Sequence, residues 1–204
     1  MQGEAFPFHV SRETSARLNV FADLLTKWTR RINLVAPTTV ARLWERHIND
    51  SAQLVECCPT GAHKWADLGT GGGLPGVVIA ILASELRPEL SVTCVESDRR
   101  KAAFLRTVSR ETGVPFEVRA ARVEAIAPLA ADVVSARALA PLPRLLDLAV
   151  PHMAGNGVGL FPKGERSVEE LAAARKLWRF DLQRITSITD PKATILRLEN
   201  VARA

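Results

Sequence analysis

The densest chemical signal in the chain is Asp67-Leu68-Gly69-Thr70-Gly71-Gly72-Gly73-Leu74-Pro75-Gly76. So many glycines let the main chain turn tightly and let a ligand come against bare backbone. An apolar run, Trp65–Leu68, precedes them, and a longer one, Val77–Ala83, follows. A helix beginning there aims unpaired N–H groups at the loop. Pro75 suits its first turn, where a missing N–H costs nothing. A P-loop would place Lys and then Ser or Thr after its last glycine, and Val77-Val78 stand there instead. Gly71, Gly73 and Gly76 do fit the dinucleotide fingerprint, with Glu96 20 residues further on. Asp67 argues against that reading, because a carboxylate at the strand end would repel a pyrophosphate and welcome a cation. S-adenosylmethionine carries a sulfonium and an ammonium, and Glu96 could then accept hydrogen bonds from both ribose hydroxyls. Asp67, Gly69, Gly71, Gly73 and Glu96 are therefore the candidate cofactor contacts.

Something must hold this loop. Leu18, Phe21, Leu24, Leu25 and Trp28 recur at helical spacing behind a plausible N-cap, Ser11, which predicts a helix over 11–29. A second helix is predicted from Thr38 to Val55, ending before Pro59 and Gly61. From His63 the rhythm changes. Short apolar runs at Trp65–Leu68, Val92–Val95, Phe116–Val118, Val133–Val134 and Val158–Phe161 alternate with helical stretches near 75–86, 99–112, 141–153 and 167–178. Such alternation predicts a parallel sheet with helices on both faces. Asp181–Ile188 and Thr194–Val201, separated by Asp190-Pro191-Lys192, read as a terminal hairpin that makes the sheet mixed. The expected organisation is a helical N-terminal cap over 1–60 and one compact α/β unit over 61–204.

Composition narrows the class. The chain has 204 residues, 47% hydrophobic and 24% charged, with a net charge of +5, which suits an ordinary globular protein. Its longest apolar run is far shorter than the roughly 20 residues of a membrane-spanning helix. Met1-Gln2-Gly3-Glu4 shows no secretory signal. Cys57, Cys58 and Cys94 are an odd number without metal-ligand spacing, so reduced thiols, no metal and a cytoplasmic location are expected.

The sequence resembles the bacterial small-subunit ribosomal RNA guanine-N7 methyltransferases, also called glucose-inhibited division protein B. The resemblance rests on the glycine loop together with Arg46-His47-Ile48-Asn49-Asp50-Ser51, Val95-Glu96-Ser97, Arg100-Lys101, Arg122-Val123-Glu124, Ser135, Arg137-Ala138 and Lys163-Gly164. It implies a class I, Rossmann-like methyltransferase fold with a seven-stranded mixed sheet. It also implies cofactor contacts at Gly69, Leu74, Val123, Glu124 and Arg137. The substrate it implies is 16S ribosomal RNA, within the 30S subunit or an assembly intermediate, acted on by a monomer. The placement of the residues agrees: Val123-Glu124 follows the third predicted strand and Arg137 the fourth, and ligands gather at the carboxyl ends of such strands.

The chemistry of the fourth strand is informative. Methylation of an exocyclic amine would call for an Asn/Asp-Pro-Pro-aromatic turn there, and Asp132-Val133-Val134-Ser135-Ala136-Arg137 stands in its place. Carbon methylation of a pyrimidine would call for a Cys nucleophile, and no cysteine follows that strand. Guanine N7 needs neither, since its lone pair attacks a sulfonium methyl directly and no proton leaves. The base becomes cationic, so a carboxylate nearby favours the transition state, and Asp50 is the candidate. Between Arg99 and Arg137 lie eight basic residues against four acids. Arg46, Arg99, Arg100, Lys101 and Lys163 are the candidate RNA phosphate contacts. A small-molecule methyltransferase and a non-catalytic nucleotide-binding module remain the alternatives.

Overall fold

The computed structural model describes residues 9–204; the reading of Met1–Glu4 lies outside them. Seven strands form one sheet in the order β3-β2-β1-β4-β5-β7-β6. They are β1 (Lys64–Leu68), β2 (Ser91–Val95), β3 (Glu117–Arg119), β4 (Ala131–Ser135), β5 (Met153–Lys163), β6 (Trp178–Thr186) and β7 (Thr194–Arg203). The first five pair in parallel, and β7 runs antiparallel to both β5 and β6. This is the predicted mixed sheet with its terminal hairpin.

Alternation along the strands sends side chains to two cores. Trp65, Val92, Cys94, Val133 and Leu160 pack on one face beneath α3 (Gly76–Leu86) and α4 (Arg99–Thr112). Ala66, Leu68, Val95, Val134 and Phe161 pack on the other beneath α5 (Leu142–Ala149) and α6 (Ser167–Ala174). Every residue of Val77–Ala83 is buried. The run is apolar all round because α3 lies between the sheet and a further helix, α1 (Arg12–Ile32), whose Leu18, Phe21 and Leu25 join the same core. Ser11 caps α1 by accepting from Thr14 N–H, and its own N–H meets the Glu85 carboxylate at 3.0 and 3.1 Å. The cap therefore closes no core of its own.

The second cap helix departs from expectation. In place of one α-helix there is a 3-10 segment (Pro37–Arg42), a π segment (Trp44–Asn49), a single turn α2 (Asp50–Ala52) and another 3-10 segment (Gln53–Cys57). Thr38, Thr39 and Val40 are weak helix formers, and tertiary bonds from His47 and Asp50 outweigh local propensity. π turns are rare and often mark functional positions. Two further helices are shorter than predicted. Pro151 converts the end of the 141–153 stretch to 3-10 (Val150–His152), and α6 ends at Ala174, leaving Trp178 to open β6.

Candidate active site

Strands β1, β2 and β4 end at the same edge of the sheet, and the glycine loop lies across them. Gly69, Gly71 and Gly73 have φ of 65°, 57° and 87°, a region open to glycine and costly to other residues. Thr70 N–H donates to the Val95 carbonyl at 3.1 Å, tying the loop to β2. Leu74 is buried beneath it. Glu96, at the tip of β2, accepts from Gly71 N–H at 2.9 Å and from Asp98 N–H at 2.7 Å.

Asp67 differs from expectation. It has no exposed surface. One carboxylate oxygen accepts from Gly76 N–H at 2.8 Å, and the other accepts from Ser135 Oγ at 2.7 Å. Ser135 Oγ in turn accepts from Trp65 Nε1 at 2.8 Å. The orphan N–H at the start of α3 has claimed this carboxylate, so Asp67 holds the loop from below and does not face a ligand. Burial pushes its pKa up to about 6, against the pull of the hydrogen bonds from Ser135 and Gly76.

Beyond the loop the crevice has two parts. The smaller, about 290 Å³, is lined by Gly69, Val95, Ser97, Val123 and Glu124. The larger, about 530 Å³, is lined by Asp50, Arg137, Pro141, Gly164 and Ala193. Leu139 and Ala140 border both. Val123 and Glu124 form a 3-10 turn (Val123–Ala125). The Glu124 carboxylate is met by Arg144 at 3.1 Å and Arg122 at 3.7 Å.

The larger part is organised by Arg137 and Asp50. The Arg137 guanidinium donates to Asp50 Oδ2 at 3.2 Å, to the Arg46 carbonyl at 3.4 Å and to His47 Nδ1 at 3.1 Å. Because Arg can only donate, His47 Nδ1 accepts, and its Nε2–H donates to Thr39 Oγ1 at 2.7 Å. The Thr39 hydroxyl donates onward to the Ala36 carbonyl at 2.7 Å. Burial, then the charges of Arg137 and Arg46, push His47 down to about 4. Asp50 Oδ1 accepts from Gln53 Nε2 at 3.0 Å and Thr189 Oγ1 at 2.9 Å. Sequence reasoning missed these partners. Gln53, Ser187, Thr189 and Asp190 come from the cap and the β6–β7 turn, and Asp190 pairs with Arg46 at 3.2 Å. Their only signal is a cluster of small hydroxyl residues in a hairpin turn.

Lys163 is a correction. Its side chain is only 8% exposed and its Nζ lies 2.8 Å from Glu170 Oε2 and 2.9 Å from the Ala140 carbonyl. A lysine so enclosed ties β5 to α6 and to the loop after β4; it borders the larger part of the crevice with its charge already met by Glu170, which makes it a structural tie more than a phosphate contact. Arg99 and Arg100 are exposed and Lys101 half-buried at the start of α4, with Arg100 paired to the N-cap Asp98 at 3.0 Å. Arg46 keeps 41% of its side chain exposed. The three cysteines are buried and free, and burial raises each thiol. Among the described residues no group of three or more His, Cys, Asp or Glu could hold a metal, and no helix is long and apolar enough to cross a membrane.

Asp67 and His47 titrate with opposite sign. The folded value of Asp67, about 6, lies above its ordinary 3.8, so the folded chain binds that proton more readily and stability falls as pH rises from about 4 to about 6. The folded value of His47, about 4, lies below its ordinary 6.5, so its contribution is lost as pH falls from about 6.5 to about 4. The two oppose each other in the wild type. Urea unfolding of Asp67→Asn is expected to expose the His47 limb alone, and that of His47→Gln the Asp67 limb alone. Parallel pH profiles for all three chains would overturn the assignment.

The family model described as rRNA small subunit methyltransferase G matches residues 14–197. Proteins named Ribosomal RNA small subunit methyltransferase G are similar over nearly the whole chain. That of Cereibacter sphaeroides is 49% identical over 193 residues, covering 95% of this chain and 94% of the relative. That of Ruegeria pomeroyi is 48% identical over 203 residues, covering 100% and 99%. A methyltransferase from Geobacter sulfurreducens has a similar fold at TM-score 0.60 with 12% identity, covering 96% of this chain and 99% of that one. TYW2 of M. jannaschii, solved in complex with AdoMet, has a TM-score of 0.55 with 14% identity, covering 78% and 76%. The α/β architecture is thus that of class I methyltransferases, as predicted. The glycine loop, the Arg46–Ser51 cluster and the match over 14–197 coincide in one chain, which belongs to the rRNA small subunit methyltransferase G family.

Proposed function

We propose that this chain transfers the methyl group of S-adenosylmethionine to N7 of a guanine in 16S ribosomal RNA. The observation that carries the reading is the two-part crevice, with the Gly69 backbone and the Val123–Glu124 turn at one part, Glu96 on the strand tip between its lining residues Val95 and Ser97, and the Arg137–Asp50 pair at the other part. The residues fit the donor. A Cβ added at Gly71 would meet nothing nearer than the Gly69 carbonyl at 3.9 Å, so the main chain there is open to a ligand. Each Glu96 oxygen keeps lone pairs for a ribose hydroxyl after accepting one N–H. Gly69, Gly71, Gly73, Leu74, Glu96, Val123, Glu124 and Arg137 are the proposed cofactor-binding residues, with Asp67 supporting them from beneath.

Bound there, the donor supplies an electrophilic methyl on a sulfonium. The chain's own task is placement: holding N7, methyl and sulfur in line replaces proton transfer as the source of rate. Asp50 lies at the larger part, where a carboxylate lowers the energy of a guanine turning cationic. Arg137 holds Asp50 in place beside the crevice. Arg46, Arg99, Arg100 and Lys101 would meet RNA phosphates and give affinity that falls with salt, while the target base enters the crevice from a splayed single strand.

The partner is 16S RNA within the 30S subunit or an assembly intermediate, the active species a monomer and the location cytoplasmic. Tritiated S-adenosylmethionine incubated with undermethylated 30S subunits, naked 16S RNA and metabolite pools tests the reading. We expect label in the RNA, released on digestion as 7-methylguanosine. Label confined to a small molecule, or to another base position, would overturn it.

A further inference from the structure

The 3-10 turn Val123–Ala125 walls the smaller part of the crevice but belongs to no strand. It is held from behind by the end of the α5 segment. We propose that His152 is a positioning residue for cofactor binding, its Nε2–H fixing the Val123–Glu124 peptide that faces the adenine end of the donor crevice. The proposal rests on the donor reading above and adds to it the device that sets donor affinity.

His152 is 3% exposed and lines neither part of the crevice. Its Nε2 lies 3.2 Å from the Val123 carbonyl oxygen. A carbonyl only accepts, so Nε2 carries the hydrogen and Nδ1 is bare. Nδ1 has no hydrogen-bond partner although it is buried. Buried polar atoms are rarely left so, and an apolar side chain would fill the space without that cost. What the imidazole supplies in return is one directed bond to one carbonyl. Burial lowers its pKa, so the ring stays neutral and the donor stays on Nε2.

Among the described residues the Val123 carbonyl has one other donor, the Ile126 N–H at 3.5 Å. His152 therefore fixes the rotation of the Val123–Glu124 peptide. That unit is planar and trans, with its N–H opposed to its C=O. The Glu124 N–H is thereby turned away from His152, and Val123 and Glu124 are the residues that line the cavity. The Glu124 carboxylate is drawn toward Arg144 of the same α5 segment. A purine edge entering the smaller part of the crevice finds this main chain already oriented, which spares the ordering cost of binding.

The test is titration calorimetry with S-adenosylhomocysteine and 5′-methylthioadenosine, beside steady-state kinetics, on the wild type, His152→Gln, His152→Asn and His152→Leu. A Gln amide reaches the place of Nε2, and an Asn amide does not. His152→Asn and His152→Leu are expected to weaken both ligands by about tenfold and to raise KM for S-adenosylmethionine equally, with kcat at saturating donor unchanged. His152→Gln is expected to stay within about threefold of wild type. Equal affinities for the Gln and Asn variants, or a loss in kcat with KM unchanged, overturns the assignment. Should His152→Leu fail to fold, the Gln and Asn pair decides it. A wild type that ignores S-adenosylhomocysteine overturns the donor reading instead, a result distinct from equal binding by wild type and variants.

Discussion

Replacing Arg137 with Met is expected to lower kcat/KM for methyl transfer by about 100-fold or more, the cost of misplacing a reacting group by about 1 Å. Arg137 is the only described cation paired with Asp50, and it also binds the His47 ring and the Arg46 carbonyl. Its side chain and that of Asp50 are 20% and 17% exposed, so water compensates poorly for the loss. Met keeps much of the stem volume and removes every donor. Asp50 then keeps Gln53 and Thr189 but loses its cation, and the π segment bearing His47, with Asp50 directly after it, loses its anchor to the loop after β4. Asp50→Asn is expected to be less damaging alone, and the double variant no worse than Arg137→Met, since the two act as one unit. Single-turnover methylation of undermethylated 30S subunits reads all three. Full activity in Asp50→Asn would remove that carboxylate from the mechanism, and independent losses from the two substitutions would separate the pair.

Gly73→Ala is the second large effect, and here stability is what fails. Gly73 has φ of 87°, and an added Cβ would lie 2.5 Å from Val77 Cγ2 and 3.1 Å from Leu105 Cδ2. Both neighbours are fully buried. The left-handed backbone costs about 1–2 kcal/mol, and overpacking a filled core adds about 1–3 kcal/mol. Gly71→Ala makes a useful contrast. Its φ is 57°, yet the nearest atom to its added Cβ is 3.9 Å away. Only the backbone cost of about 1–2 kcal/mol applies to folding, and the methyl group instead stands where the donor would approach. Denaturant unfolding is expected to single out Gly73→Ala, and S-adenosylhomocysteine titration to single out Gly71→Ala. Equal stabilities would show that the loop yields where the packing around Val77 and Leu105 says it cannot.

Much of this arrangement was legible in the residues. Short apolar runs alternating with helical stretches gave the strands, and α4 spans 99–112 as predicted because Asp98 caps it and Gly113 ends it in a left-handed turn. The loop from Gly69 to Gly76 was legible because its glycines have few other uses. Asp67 was correctly placed at the strand end and wrongly aimed, since sequence shows a carboxylate but not which orphan N–H will take it. Lys163 misled for the same reason: its partner Glu170 lies on the next helix, and nothing local announces the pair. The broken helix at 37–57 was illegible because its conformation is set by bonds to Arg137, Ser187 and Thr189, distant in sequence. His152 carried no motif at all, and only its tertiary neighbour gives it meaning.

The hairpin of β6 and β7 has a consequence for the order in which the molecule becomes competent. Thr189 and Asp190, in its turn, grip Asp50 and Arg46, and β7 lodges between β5 and β6. During synthesis, a nascent polypeptide that has emerged only as far as β5 already holds the glycine loop, Glu96 and the Val123–Ala125 turn. It still lacks the clasp on the acceptor side. The hairpin residues that grip Asp50 and Arg46 are thus the last parts of the site to leave the ribosome.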